Sequence, residues 1–277
     1  MDRTSTREGI APRDIVFECG MAAQGIVEAT PANLRALREK PGGATSPPLP
    51  PRFLRHADEQ TVVGLAAVLR AVGEPALRGQ SFEEWGVLAA PQFPGRLVGA
   101  AALTKFARDG AATVSPHIIP QHSLHSLSGA VSIVLGLHGP NFGVGGGHEA
   151  LAEAFTAALT FLDHATLPGL WLVLTGWDPE PVPDCTGWTT SESVCRGVAL
   201  ALVPDASQGR MLRLTALRSP CAGEDSSGIP PALTLAGLID RLATSSDKRP
   251  EPAWSFALCW GAQIDQITSP TGQPKAA

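Results

Sequence analysis

GPNFGVGGGHEAL, residues Gly139–Leu151, decides how this chain is read. A short strand-like piece, Asn141–Val144, runs into three consecutive glycines and then directly into helix-forming sequence. A strand–glycine turn–helix gathers backbone N–H groups and the positive end of a helix dipole at one point. Such a point suits a nucleophile, an anion or a cofactor phosphate. Gly145, Gly146, Gly147 and His148 are its candidate residues.

Outward from this turn, apolar patterning predicts alternating strands and helices. On the amino-terminal side are a buried strand at Asp14–Gly20 and a helix from Thr30-Pro31 to Glu39, since Thr caps and Pro suits a first turn. A proline- and glycine-rich loop follows at Pro41–Phe53. A helix starts from Asp58, with Val62, Val63, Leu65, Ala66, Leu69 and Val72 at helical spacing. Trp85–Ala90 reads as a strand, Pro91–Gly95 as a loop over its carboxyl end, and Gly99–Ala107 as a helix. Thr113–Pro120 is expected to be extended and His122–Leu137 helical, with Leu124, Leu127, Val131 and Val134 on one stripe. After the turn come a helix over His148–Asp163 and an apolar strand over Gly169–Asp178. Gly197–Pro204 and Met211–Leu217 read as a hairpin turning at Asp205–Gly209. A helix at Ala232–Ala243 and a strand at Trp254–Trp260 follow. This order predicts an α/β fold with a mixed, mostly parallel sheet and helices on both faces. One domain over residues 1–268 is expected, with a disordered tail at 269–277.

Composition narrows the partners. The net charge is −5, with no block of Lys or Arg, so nothing draws the chain to nucleic acid or anionic lipid. No apolar run approaches the roughly 20 residues of a membrane span, and the first residues, MDRTSTREGIAPRD, are polar and unlike a signal peptide. Cys19, Cys185, Cys195, Cys221 and Cys259 are scattered, odd in number and form no CxxC pair, which suits a reducing cytoplasm.

Several chemistries are tested against the turn. Gly145, Gly147 and Ala150 satisfy G-x-G-x-x-A, but the preceding strand contains Gly139, Pro140 and Asn141. Asp178, the available acid, lies well beyond the usual spacing from the glycines, so a dinucleotide site is disfavoured. No Lys-Ser/Thr follows the glycines as a phosphate-binding Walker loop requires, and no G-x-S-x-G elbow exists in the chain. His117, His122, His125, His138, His148 and His164 crowd the region. No acid or Cys sits at ligand spacing beside His122 and His125, and HEALAE lacks the second His of H-E-x-x-H, so neither metal nor cofactor is expected.

The flanks also carry a resemblance. VSPHIIPQHSLHSLSGAVSIVLGLHGP (114–140), the glycine turn, ALAEAFTAALTFLD (150–163), WLVLTGWD (171–178) and GVALALVP (197–204) resemble, in order, the active-site half of β-ketoacyl synthases of the thiolase fold. DIVFECG (14–20) is similar to that family's first strand, so the likeness runs over about residues 13–217. It implies a thiolase-like layered half-fold. In the family a Cys at the helix N-terminus is the nucleophile, and the dipole there favours its thiolate. Here that place falls on Gly147 or His148, and no Cys lies between Cys19 and Cys185. Two further histidines come from the family's second half, most of which this sequence is expected to lack.

The resemblance therefore implies a short, Cys-less relative of the chain-length-factor-like proteins of aryl polyene and polyketide clusters. Such a subunit would act without catalysis of its own, beside a full-length Cys-bearing synthase and an acyl carrier protein. Family members pair the strand equivalent to Asn141–Val144 across a dimer axis. Asn141, Phe142, Gly143 and Val144, with His122 and His125, are accordingly the expected interface residues. Two alternatives remain open: an acyl-thioester hydrolase or acyltransferase using His148 as base, with Ser123, Ser126 or Ser128 the available hydroxyls, and a free-standing acyl- or carrier-protein-binding module.

Overall fold

In the computed structural model, residues 15–43, 46–50, 52–116, 122–164, 166–182, 192–204, 210–216, 231–244, 254–258 and 262–268 are described. The first strand, β1 (Ile15–Ala29), is twice as long as the sequence predicts. Gly20, expected to end the strand, lies inside it, as does Gly25. At Gly25 the glycine serves close approach: a Cβ there would sit 2.0 Å from the carbonyl oxygen of Ala67. That carbonyl belongs to α2 (Glu59–Val72), whose backbone lies directly on the sheet.

Helix α2 follows α1 (Pro31–Glu39), which spans the predicted residues. The side chain of Asp58 caps α2, accepting from the Thr61 N–H at 2.6 Å. Its sequence reads as a striped amphipathic helix, yet Gln60–Leu69 and Ala71 are all buried. It packs on β1, on β4 (Leu170–Asp178) and on β5 (Val194–Val203), and also against α1 and α4 (His125–Leu135). Burying Val62, Val63, Leu65, Val68 and Leu69 alone is worth on the order of 10 kcal/mol in gross transfer free energy.

The remaining elements are β2 (Gly86–Pro91), α3 (Arg96–Asp109), β3 (Asn141–Gly143), α5 (Ala150–His164), β6 (Arg210–Ala216), α6 (Leu235–Thr244), β7 (Trp254–Ala257) and β8 (Ala262–Thr268). Eight strands form one sheet in the order β3-β2-β4-β5-β1-β6-β8-β7. Helices α1, α2 and α4 cover one face and α5 and α6 the other, giving two apolar layers. Alternation along β4 feeds both: Leu170, Leu172 and Leu174 face α5 and α6, while Trp171, Val173 and Trp177 face α2. In β1 the register against β5 shifts between Met21 and Ala23. This bulge exchanges faces, so Cys19 and Met21 join one layer and Ala23 and Val27 the other.

Three expectations need correction. The sheet is mixed, but only β2–β3 and β2–β4 are parallel, and the other five pairings are antiparallel. Parallel pairing needs a crossover connection, and no helix is described between β4 and β5 or between β5 and β6. The second correction concerns β5 and β6, which are not a hairpin. β1 lies between them, pairing with β5 through Gly20–Ala29 and with β6 through Ile15–Met21. A 15-residue strand has length enough to serve both, which local alternation cannot reveal. The third is β8, missed in sequence because its buried face is part polar: Ile264 and Gln266 are both fully enclosed. The turn at Asp205–Gly209, residues 117–120 of the run expected to be extended and the tail at 269–277 lie outside the described residues.

Because an α2 carbonyl lies where a Cβ at Gly25 would go, Gly25→Ala is expected to destabilise the protein by about 3 kcal/mol in urea unfolding. Gly43→Ala, where nothing lies within 4 Å of the new methyl, should be neutral within about 0.5 kcal/mol. Equal effects at both positions would show that the α2–sheet approach is not as tight as described.

Candidate functional site

The glycine turn leaves the sheet at its edge. Val144 N–H donates to the Ala89 carbonyl at 2.9 Å, and the chain then passes through Gly145 (φ +76°) and Gly146 (φ +99°). Both are in left-handed conformations that side-chain-bearing residues rarely adopt. Close packing reinforces the requirement: a Cβ at Gly145 would sit 2.6 Å from that of Ala150, and one at Gly146 would sit 2.9 Å from Leu124 at the start of α4. Gly147 differs. Its φ is ordinary, and nothing lies within 4 Å of where its Cβ would be. Helix α5 begins at Ala150, two residues later than predicted, because residues 147–149 still belong to the turn.

A second loop closes on this turn from the end of β2. Phe93 N–H donates to the Gly146 carbonyl at 3.2 Å, and Phe93 itself is held at φ +48°. The Phe93 ring meets the exposed His148 ring edge-on at 4.7 Å, and the Arg96 guanidinium lies over the same ring at 4.8 Å. Arg96 also pairs with Glu180 at 3.2 Å.

Behind the loop runs a line of hydrogen bonds into the core. The fully buried Thr175 donates Oγ1–H to Gln60 Oε1 at 3.0 Å, and Gln60 Nε2 donates to the Gln92 carbonyl at 2.5 Å. Gln92 N–H donates to the Thr175 carbonyl at 2.8 Å, and Gln92 Nε2 reaches the His148 carbonyl at 3.4 Å. Gln60 thus couples the start of α2 to the glycine turn. Reading Pro91–Gly95 as a loop over the strand end identifies the location, but Gln60, Gln92 and Phe93 have no motif to mark them.

Acidic groups collect beneath. Desolvation raises the carboxyls of Asp58, Glu59 and Glu180 above the ordinary range; the hydrogen bonds to Asp58 from Thr61, and the Arg96 pair at Glu180, act in the opposite direction. The recess between Asp58, Gln60, Phe93, Arg96, Trp177 and Glu180 is only about 10 Å³, room for roughly one water. No acyl chain fits that recess.

The predicted site residues do not all converge. His122 is half-buried, packs over Gly95, and its Nδ1 has no hydrogen-bond partner among the described residues. His125 is exposed and its Nδ1 lies 3.4 Å from the buried Ser128 Oγ, while the hydroxyls of Ser123 and Ser126 face each other at 3.3 Å. The serines considered for a His148 base thus have partners elsewhere. His138 pairs with Glu83 and His164 with Asp163, and His117 lies outside the described residues. No group of three or more His, Cys, Asp or Glu among the described residues is placed to hold a metal ion.

Asp178 is paired with Arg196 at 3.4 Å, and the strand entering the turn is a three-residue edge strand. That is not the central strand of a dinucleotide fold. Cys19 and Cys195 are buried and free; burial pushes the Cys19 thiol up to about 12 and Cys195 upward as well, so neither offers a thiolate. Cys185, Cys221 and Cys259 lie outside the described residues.

Asn141, Phe142 and Gly143 form the outermost strand, β3, paired only with β2 among the described residues. Val87 N–H donates to the Pro140 carbonyl, and Val144 N–H to that of Ala89, so even-numbered residues turn their backbone groups inward. Those of Asn141 and Gly143 point outward, off the edge of the sheet. Phe142 is 39% exposed, with its ring edge-on to Phe161 at 5.2 Å, and Asn141 Oδ1 is buried without a partner among the described residues.

No family model matches the sequence, and no curated protein is similar to it. Among solved structures, the fold is similar to that of "the ishigamide ketosynthase/chain length factor", with 15% identity and a TM-score of 0.56, over 92% of this chain and 100% of that one. A ketosynthase, ApeO, in complex with its chain length factor, ApeC, from Xenorhabdus doucetiae gives 15% identity and a TM-score of 0.49, over 91% and 96% of the two chains. AntDE:AntF, a type II polyketide synthase acyl-carrier protein in complex with its ketosynthase bound to the hexaketide, gives 13% and 0.45, over 68% and 63%. The first of these carries the comparison. This chain has the ketosynthase/chain length factor fold, as the ordered resemblance in its sequence implies. No helix among the described residues is long and apolar enough to cross a membrane.

Two predictions follow from the site. Gly147→Cys should fold within about 1 kcal/mol of wild type and alkylate at residue 147 in the native state, whereas Gly146→Cys should lose about 2 kcal/mol or more. Unfolding curves and peptide mass mapping would read both, and equal tolerance would overturn the assigned geometry.

The second concerns pH. A carboxyl whose folded pKa is raised binds its proton more readily when folded, so its contribution to stability falls as pH rises from about 4 through the raised pKa. Asn also caps helices, so Asp58→Asn should gain stability relative to wild type at pH 8 compared with pH 4.5. A gain that is equal at both pH values would refute the buried charge.

Proposed function

We propose that this chain is a non-catalytic subunit of the chain-length-factor type. It would pair with a full-length, Cys-bearing ketosynthase in assembling a polyketide or fatty-acid-like product on an acyl carrier protein. The observation that carries the reading is the glycine turn. The chain keeps the strand, turn and helix of the ketosynthase fold, and by the sequence resemblance the place of the nucleophile falls on Gly147 or His148. Without a thiolate, and with His148 set against Phe93 rather than a hydroxyl, the turn offers shape and backbone groups but no nucleophile.

Two further features support a partner. β3 presents the outward N–H and C=O groups of Asn141 and Gly143 on an edge with no second strand among the described residues, an arrangement suited to strand addition across a dimer. Large apolar side chains are also exposed on elements that flank the turn: Leu103 and Phe106 on α3, Ile133 on α4 and Phe142 on β3. In this reading Asn141, Phe142, Gly143 and Val144 form the centre of the interface. His122 and His125, at the start of α4, border it. The acyl tunnel then lies between subunits, consistent with a recess beside the turn too small for one.

Co-expression with a full-length, Cys-bearing ketosynthase from the same genome should yield a stable 1:1 complex by gel filtration. Asn141→Pro removes one outward N–H while leaving the inward bonds to β2, and should weaken that complex at least tenfold. A chain that elutes alone, with the pathway product unchanged on its deletion, would end this reading.

A further inference from the structure

Away from the glycine turn, an open recess of about 490 Å³ lies between α1 and residues 49–50 and 52–55. Its volume is within the range of small-molecule sites. Leu49 and Phe53 give it an apolar floor, and Arg35, Arg38, Arg52 and Arg55 surround it, with Glu39 the one acid in its lining. Four arginines against one glutamate make a local excess of +3 on a chain whose net charge is −5.

The four arginines have different duties. Arg38 is structural: its guanidinium donates to the carbonyls of Leu54, at 2.8 Å, and Ala57, and lies 3.8 Å from Glu59. It ties α1 to the chain at Leu54 and Ala57. Arg35 makes only a solvent-exposed pair with Glu39 at 3.7 Å, which is worth little and easily exchanged. Arg52 and Arg55 are exposed, and their guanidinium groups have no ion pair or hydrogen bond among the described residues. Planar guanidinium groups match carboxylate and phosphate oxygens in a bidentate fashion.

We propose that this recess binds an amphipathic anion, a carboxylate or phosphate on a short aliphatic chain. Arg52, Arg55 and Arg35 take the headgroup, and Leu49 and Phe53 take the tail. The site is separate from the glycine turn and does not depend on the function proposed for it.

Titration calorimetry on the full chain, with probes below their micelle-forming concentrations, tests this directly. Octanoate and octyl phosphate should each bind saturably at one site, and their relative affinities separate a carboxylate site from a phosphate site. Acetate, inorganic phosphate and octanol should each bind at least tenfold more weakly, because each lacks either the tail or the charge. The double variant Arg52→Gln/Arg55→Gln should lose at least tenfold in affinity with its melting temperature unchanged, and Arg55→Glu alone should lose as much. Raising salt should weaken octanoate but not octanol. Octanol binding as tightly as octanoate would reduce the site to an apolar crevice. Unchanged affinity in both variants, or no saturable binding of either anion, would overturn the proposal.

Discussion

The direct contact of the α2 backbone with the sheet is the constraint on which the rest depends. Gly25 in β1 and Gly197 in β5 admit it, since a Cβ at either position would press on the carbonyl of Ala67 or Val63. With its backbone seated there, α2 is enclosed by strands below and by α1 and α4 around it. A helix so enclosed cannot shift without opening the larger part of one apolar layer. Its first turn is therefore a fixed point, and the capping Asp58 and the side chain of Gln60 project from it toward the glycine turn.

That fixed point is transmitted by hydrogen bonds. Thr175, Gln60 and Gln92 hold the Phe93 loop, and the loop holds the carbonyl of Gly146. The turn is thus built as rigidly as a catalytic turn needs to be, with two left-handed glycines and neighbours at contact distance. What it lacks is a reactive group. The accessible position, Gly147, has no side chain, and the next residue rests on an aromatic ring.

Much of this was legible in the chain. The glycine turn, α1, α2, β2 and β4 follow from caps, glycines and apolar runs, because each is specified by residues a few positions apart. That no thiol stands between Cys19 and Cys185 was legible directly from the residues. Other features were not. The strand expected to stop at Gly20 runs on through Gly25 where α2 lies across it, and α2 reads as amphipathic until its outer face is seen beneath α1 and α4. The pairing of β1 between β5 and β6 joins residues about 180 positions apart, and alternation in one strand says nothing about which other strand accepts its hydrogen bonds.

The sequence by itself determined that a strand, a glycine turn and a helix meet at residues 141–150, and that no thiol stands there. Local backbone preference and side-chain identity suffice for both. Only the tertiary structure decided that β3 is an edge strand of the sheet among the described residues and that Gly147, but not Gly145 or Gly146, has room for a side chain. It alone also gathered Gln60, Gln92, Phe93 and Arg96 behind the turn. Those outcomes depend on which distant segments occupy the space around a residue, and chain folding sets that after local preference has been satisfied.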